Sequence, residues 1–213
     1  MDDVPRQPKV IGLIGGIGSG KSQVARVLAE ETGAKIISGD ALGHEALKQP
    51  EVRDQVVRRW GASVLDANGE VDRRKLGGIV FADSTELTAL EALVHPWIKR
   101  RIGEEVEAFR KDPSVPLIVL DAAILLEAGW NGVCDALVFV DVPRDLRLRR
   151  IARHRGWTEE EVEARESAQL SLSEKAGRAD CSLDNSGTVE DLRREVRSLL
   201  DRWGIPRTAR APE

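Results

Sequence analysis

The sequence predicts an α/β fold: a parallel sheet of about five strands covered by helices, with a helical insertion and a charged helical hairpin. Three observations predict it. Short apolar runs alternate with helical patterns, as βαβ units and a parallel sheet require. The first run leads into Gly15-Gly16-Ile17-Gly18-Ser19-Gly20-Lys21-Ser22, which fits G-x-x-x-x-G-K-[ST], a phosphate-binding loop between a strand and a helix. Residues 50–111 then read as helical, with no convincing strand.

The opening strand is Val10-Ile11-Gly12-Leu13-Ile14. After the loop, Val24, Val27, Leu28 and Glu31 recur at i, i+3, i+4 and i+7 and predict a helix. Thr32-Gly33 ends it, and residues 34–38 read as the second strand, followed by Gly39-Asp40. Ligands of parallel sheets lie beyond the C-terminal strand ends, so Asp40 is expected on the rim that carries the loop. It can equally serve as N-cap of a helix over 41–48.

In the insertion, Pro50 opens a helix with Val52, Val56, Val57 and Trp60 on one face, and Gly61 stops it. Residues 66–70 are a turn. Asp72 caps a helix through 80–81, and Asp83-Ser84 cap the next. His95-Pro96 is expected to kink that helix or start another, because proline removes a helical donor. An apolar stripe through Trp97, Ile98, Ile102, Val106 and Phe109 continues it. His95 reads as a residue of the helix joint or as a ligand-contacting donor.

Val115-Pro116-Leu117-Ile118-Val119-Leu120-Asp121 is an apolar run ending in a carboxylate, the pattern of a buried parallel strand. Asp121 at its ligand end can help hold Mg²⁺ or can serve only as a turn residue. Ile124-Leu125-Leu126-Glu127 is expected to start a short helix, and residues 136–142 form a further strand. Pro143 begins a helix carrying Arg144, Arg147, Arg149, Arg150, Arg153, His154 and Arg155. Gly156-Trp157 breaks it, and Thr158-Glu159-Glu160-Glu161 resembles a capping box for a second helix. A basic hairpin of this kind suits a lid over phosphates. For most of its arginines, solvated i,i+4 pairs such as Glu161–Arg165 are the simpler reading; for at least one of Arg150, Arg153 and Arg155 a phosphate role is favoured. A weak strand within 179–185 precedes a turn, and Thr188 caps a final helix with Val189, Leu192, Val196, Leu199 and Leu200 on its apolar face. The tail from residue 206 reads as loose.

Length and charge narrow the function. The chain has 213 residues, one domain's worth or one core with insertions. A net charge of −4 argues against general affinity for nucleic acid or anionic membrane. Two cysteines, Cys134 and Cys181, in no metal-type spacing, fit a reducing compartment. No apolar run approaches the length of a membrane span, and residues 1–8 do not resemble a signal peptide. The expected location is the cytoplasm.

The loop chemistry is specific. Its glycines let several N–H groups converge on one anion. Lys21 reaches the β/γ-phosphates, and Ser22 offers a hydroxyl to Mg²⁺. The N-terminus of the following helix adds partial positive charge. No guanine-reading Asn-Lys-x-Asp stretch occurs. About five strands, an insertion and a basic hairpin suit a small phosphotransferase, in which a carboxylate such as Asp40 can accept the acceptor hydroxyl's proton.

Several stretches together resemble the dephospho-CoA kinase family, from residue 10 to about 200. They are the run from Gly12 to Ser22, Gly39-Asp40 with His44, Leu90-Glu91 with His95-Pro96, Leu125-Leu126-Glu127, and Ala179-Asp180 with Asp184-Asn185. The resemblance implies the P-loop kinase fold, similar to the nucleoside monophosphate kinases: a three-layer αβα arrangement, with one domain over 9–206. Within it the nucleotide core spans about 9–45, 114–145 and 179–203, the acceptor-side insertion about 46–112 and the lid about 146–172, between tails 1–8 and 207–213. It implies transfer of the ATP γ-phosphate to the ribose 3′-hydroxyl of dephospho-CoA, with Mg²⁺ as cofactor, by a monomer or weak homo-oligomer. By this likeness Asp40, Lys21 and Arg150 are catalytic. Gly16, Ile17, Gly18, Ser19, Gly20, Lys21, Ser22 and Asn185 bind ATP. Asp40, His44, His95 and Glu127 bind the acceptor; from the loop motif and the strand end, Ser22 with Asp121 is expected to hold the metal. The chain departs from the family pattern at Ser38-Gly39-Asp40, where Asp-Ala-Asp is usual, and at Ala123-Ile124, where Pro-Leu is usual. It also has Leu126 where an aromatic is usual, Arg147 in place of a glutamine, and His154 in place of an arginine. Two rival readings remain: another small-molecule or nucleoside monophosphate kinase, and a regulatory P-loop ATPase.

Overall fold

The apolar runs pair into a five-stranded sheet in the computed structural model, which describes residues 7–208. In chain order the elements are β1 (Lys9–Ile14), α1 (Lys21–Thr32), β2 (Lys35–Ser38), α2 (Gly39–Lys48), α3 (Pro50–Trp60), α4 (Arg73–Val80) and α5 (Ser84–Arg110). There follow β3 (Leu117–Asp121), β4 (Ala136–Asp141), α6 (Arg144–Arg155), α7 (Glu159–Glu166), α8 (Leu172–Gly177), β5 (Cys181–Asp184) and α9 (Val189–Trp203). The strand order is β2-β3-β1-β4-β5, and every pair is parallel. β1 is therefore central, flanked by β3 and β4. The chain crosses to one side of it through β2 and β3 and to the other through β4 and β5. The loop after β1 thus sits at the point where the strand order reverses, the usual ligand crevice of such a sheet.

The chain divides into two compact units, one made of residues up to Ser38 and from Glu105 onward, the other Gly39–Glu104. The expected insertion, 46–112, is shifted: α2 belongs to the helical unit, and the last turns of α5 belong to the sheet unit. In the sheet unit, Val24, Val27 and Leu28 of α1 and Leu192, Val196, Leu199 and Leu200 of α9 join Ile11, Leu13, Val119 and Val138 in one buried cluster. Each such side chain contributes about 1.5–3 kcal/mol. Val189 is not part of that face: it is 48% exposed, because it is the first residue of α9, beside the cap. Residues 206–208, expected to be loose, are pinned where Thr208 donates through its amide to the Glu31 carbonyl at 2.9 Å. The expected tails, 1–8 and 207–213, otherwise lie largely outside the described residues.

The helical unit has its own core of Val52, Val56, Val64, Leu76 and Val80, with Leu87, Leu90, Leu93 and Val94 of α5 packed against it. Asp72 caps α4 by accepting from the Arg74 and Lys75 amides. His95-Pro96 does not end a helix: α5 runs unbroken through Pro96. One lost donor is outweighed there by apolar burial on both sides, Leu93 and Val94 before it and Trp97 and Ile98 after it. The helix expected from Ile124 is likewise absent. Residues 123–129 form turns, with one i→i+4 bond from the Ala128 amide to the Ile124 carbonyl. Gly129, at φ 65°, then terminates them. Among the described residues, no helix is long and apolar enough to cross a membrane.

Candidate active site

A phosphate loop works only if its carbonyls turn outward and leave the amides to converge. Here the carbonyls have internal donors drawn from across the sheet unit. The Lys21 ammonium donates to the Gly15 and Gly16 carbonyls at 3.2 and 3.1 Å. Arg147 Nη1 donates to the Ile17 carbonyl at 3.0 Å. Asn185 Nδ2 donates to the Ser19 carbonyl at 2.8 Å. The Gly20 carbonyl accepts from the Gln23 and Val24 amides and so starts α1. Gly20 is the N-cap, at φ 83°, and no side chain caps it. A Cβ there would lie 2.5 Å from Asn185 Nδ2, so both its backbone angle and its neighbour require glycine. The uncapped N-terminus of α1 presents its amides and dipole toward an anion. Ser22 is exposed in the first turn of that helix.

Arg150, on α6, stands beside this loop. Its Nη2 donates to the Asn185 carbonyl at 2.8 Å. Its Nη1 is buried without an acceptor and lies 3.7 Å from where a Cβ of Gly20 would be. Burial lowers the Arg150 pKa and the Asp184 carboxylate opposes this; the guanidinium stays charged at any working pH. Asn185 is buried and touches the loop from one side and Arg150 from the other. It acts here on the loop's shape, which its expected place among ATP-binding residues did not specify. Asp121 ends β3 in register with Leu13 of β1 and Ser38 of β2, at the C-terminal edge of the sheet.

Glu127, expected on the acceptor side, is engaged within the sheet unit. Its Oε1 accepts from the Leu170 amide at 3.0 Å and pairs with the Lys175 ammonium at 2.8 Å. Its Oε2 is buried without a partner. Lys175 also donates to Gln169 at 2.9 Å. The hairpin carries its charge differently from the simple i,i+4 pattern: Glu161 completes the Thr158 capping box, and Arg165 donates to the Glu161 carbonyl at 2.8 Å. The Arg155 and Arg165 guanidinium groups both lie over the Trp157 ring, at 4.8 and 3.9 Å from its centre.

In the helical unit, Asp40 is not the N-cap of α2. The helix begins one residue earlier, at Gly39, and Asp40 lies exposed in its first turn, where a carboxylate still complements the dipole. His44 follows one turn later. Its Nδ1 lies 3.5 Å from Arg73 Nη1. Burial, then Arg73, lowers its pKa from 6.5, while Asp40 opposes. His95 is half-buried on α5, and burial lowers its pKa against the pull of Glu91. Both imidazoles are therefore neutral at pH 7.

Sequence reasoning missed the buried cations Arg147 and Lys175 and the helix α8. The last was readable: Ser171-Leu172-Ser173-Glu174 is a capping box, and both of its bonds form.

The chain matches the family model described as dephospho-CoA kinase over residues 9–191. It is 39% identical over 194 residues to a dephospho-CoA kinase of Geobacillus kaustophilus, covering 91% of this chain and 96% of that one. A Thermus thermophilus protein of known crystal structure superposes with a TM-score of 0.74 at 37% identity, over 92% of this chain and 98% of that one. A dephospho-CoA kinase from Campylobacter jejuni, 24% identical, shares the fold with a TM-score of 0.68 over 91% and 96% of the two chains.

Proposed function

We propose that this chain, which belongs to the dephospho-CoA kinase family and is thus an ATP-dependent phosphotransferase, moves the ATP γ-phosphate to the 3′-hydroxyl of dephospho-CoA. The products are CoA and ADP. The observation that carries the nucleotide half is the loop itself, whose outward carbonyls at Gly15, Gly16, Ile17 and Ser19 are held by Lys21, Arg147 and Asn185. Its amides, with those of Ser22 and the first turn of α1, cradle the phosphates. Lys21 exchanges its loop carbonyls for the β/γ-phosphates. The buried, unsatisfied Nη1 of Arg150 finds its acceptor on a phosphate oxygen and offsets charge that grows in the transfer.

Asp40 is the general base. It is exposed and follows β2 by two residues, which supports its taking the 3′-hydroxyl proton. Neutral His44 and His95 supply hydrogen bonds to the acceptor without adding charge. Glu127 is reassigned to fold support through Lys175, with only its Oε2 left for the acceptor.

Magnesium fits the residues present. Ser22 and Asp121 are hard oxygen donors, few in number. That suits a cation that keeps waters and substrate phosphates in its shell. Bound there, it would neutralise charge on the phosphates. The protein works in the cytoplasm on these two small molecules, without nucleic acid or membrane.

An acceptor panel tests the reading. ADP release is followed with ATP, Mg²⁺ and dephospho-CoA, nucleoside monophosphates or no acceptor. Dephospho-CoA is expected to be turned over fastest. A better nucleoside monophosphate acceptor, or release equal to the ATP-only blank, overturns the proposal.

A further inference from the structure

Arg147 sits in a helix full of exposed arginines yet is only 2% exposed. One atom, Nη1, donates both to the Ile17 carbonyl at 3.0 Å and to the Glu166 carboxylate. The guanidinium also rests on the loop backbone: a Cβ at Gly16 would lie 2.7 Å from Nη1 and 2.9 Å from Cζ. Its Nε is buried without an acceptor, so the group has no surplus partner to fall back on. Glu166 is the last residue of α7. Along the same seam, Arg144 of α6 pairs with Glu159 and Glu163 of α7, but those groups are 42–61% exposed. Exposed pairs are worth little, whereas a buried charge that loses its partner must find another. Among the described residues, the Arg147 pair alone runs from α7 into the loop.

We infer that the Arg147–Glu166 pair is a positioning link: it holds the Ile17 carbonyl outward according to where α7 lies, so ATP affinity is tied to the hairpin while acceptor affinity is not. The inference rests on the proposed ATP site. When Glu166 holds Nη1, the guanidinium stays over Gly16 and the loop amides stay convergent. When α7 withdraws Glu166, a buried guanidinium is left with the Ile17 carbonyl as its acceptor, and the loop must reshape. A purely structural pair would lower stability without choosing between the two substrates.

Calorimetric titration tests this with a non-hydrolysable ATP analogue plus Mg²⁺, and separately with dephospho-CoA. The proteins are the wild type, Arg147→Gln, Glu166→Gln, the double variant and Arg144→Gln, each melted first to show cooperative unfolding. Either single variant at this pair, buried at Arg147 and 26% exposed at Glu166, is expected to weaken the analogue roughly tenfold, the scale of coupling within one network, with dephospho-CoA held within about twofold. The double variant is expected to be no weaker than Arg147→Gln alone, because both changes act through one link, and Arg144→Gln changes neither ligand. Glu166→Asp, which keeps the charge and shortens its reach, replaces any single variant that fails to fold and is expected to show the same split. Analogue binding within about twofold of wild type in the single variants overturns the link, and so does equal weakening of both ligands. A wild type that fails to bind the analogue refutes the ATP site itself.

Discussion

In the phosphate loop two of the four held carbonyls, Ile17 and Ser19, are held by side chains remote in sequence, and Lys21 holds the other two. Asn185 reaches Ser19 across 166 positions, and Arg147 reaches Ile17 across 130. The polar residues of α2 are the reverse. Asp40 and His44 are exposed, one turn apart, and His44 meets Arg73 at a long 3.5 Å. On the proposed reading the backbone carries the chemistry in the first region, with its cost of ordering met on folding, and side chains carry it in the second, with their final geometry left to the acceptor. Preorganisation should therefore make the loop intolerant of small changes, and Asp40 of α2 sensitive in chemistry and not in stability.

The comparison can be broken at either end. Lys21→Ala is expected to abolish measurable transfer, at least about 10³-fold below wild type, since the loop then holds phosphates without its point charge; steady-state ADP release checks it. Asp40→Asn is expected to lower kcat by about 10²–10⁴ with an unchanged melting temperature, and a loss under about threefold would reduce Asp40 to a helix-dipole partner. Gly20→Ala is expected to damage both properties. A non-glycine residue at φ 83° costs about 1–2 kcal/mol, beyond displacing Asn185. Melting temperature and the KM for ATP should both move, and a shift in neither would contradict the rigid loop.

The smallest effect is on pH. His44 and His95 have pKa values lowered from 6.5, chiefly by burial. The unfolded chain then binds their protons more readily than the folded one. Their contribution is thus fully present above the unfolded value and is lost as pH falls through it toward the folded values. Denaturant midpoints should fall between about pH 7.5 and about pH 5.5, and His95→Gln should flatten that slope. An unchanged slope would mean that His95 is solvated.

Much of this was legible because it is local. Apolar runs marked the five strands, the glycine-rich pattern marked the loop, and Asp72, Thr158 and Thr188 marked three helix starts. What escaped depends on partners far along the chain. Arg147 looks like Arg149 or Arg153 in sequence; only Glu166 and Ile17 make it a buried group. Glu127 carries no sign that Lys175 will claim it. Pro96 signalled a break that apolar burial on either side overrode, and Ile124-Leu125-Leu126 signalled a helix that Gly129 stops after one turn. At the candidate site the long-range contacts were not readable: Asn185 holds the Ser19 carbonyl, and Glu127 pairs with Lys175.

The most direct measurement follows the phosphate. Wild-type protein is mixed with γ-labelled ATP, Mg²⁺ and dephospho-CoA, and the label is located in the products. The label is predicted in a 3′-phosphomonoester on CoA, formed in step with ADP. Label found only in inorganic phosphate, or unchanged in ATP, would contradict the account.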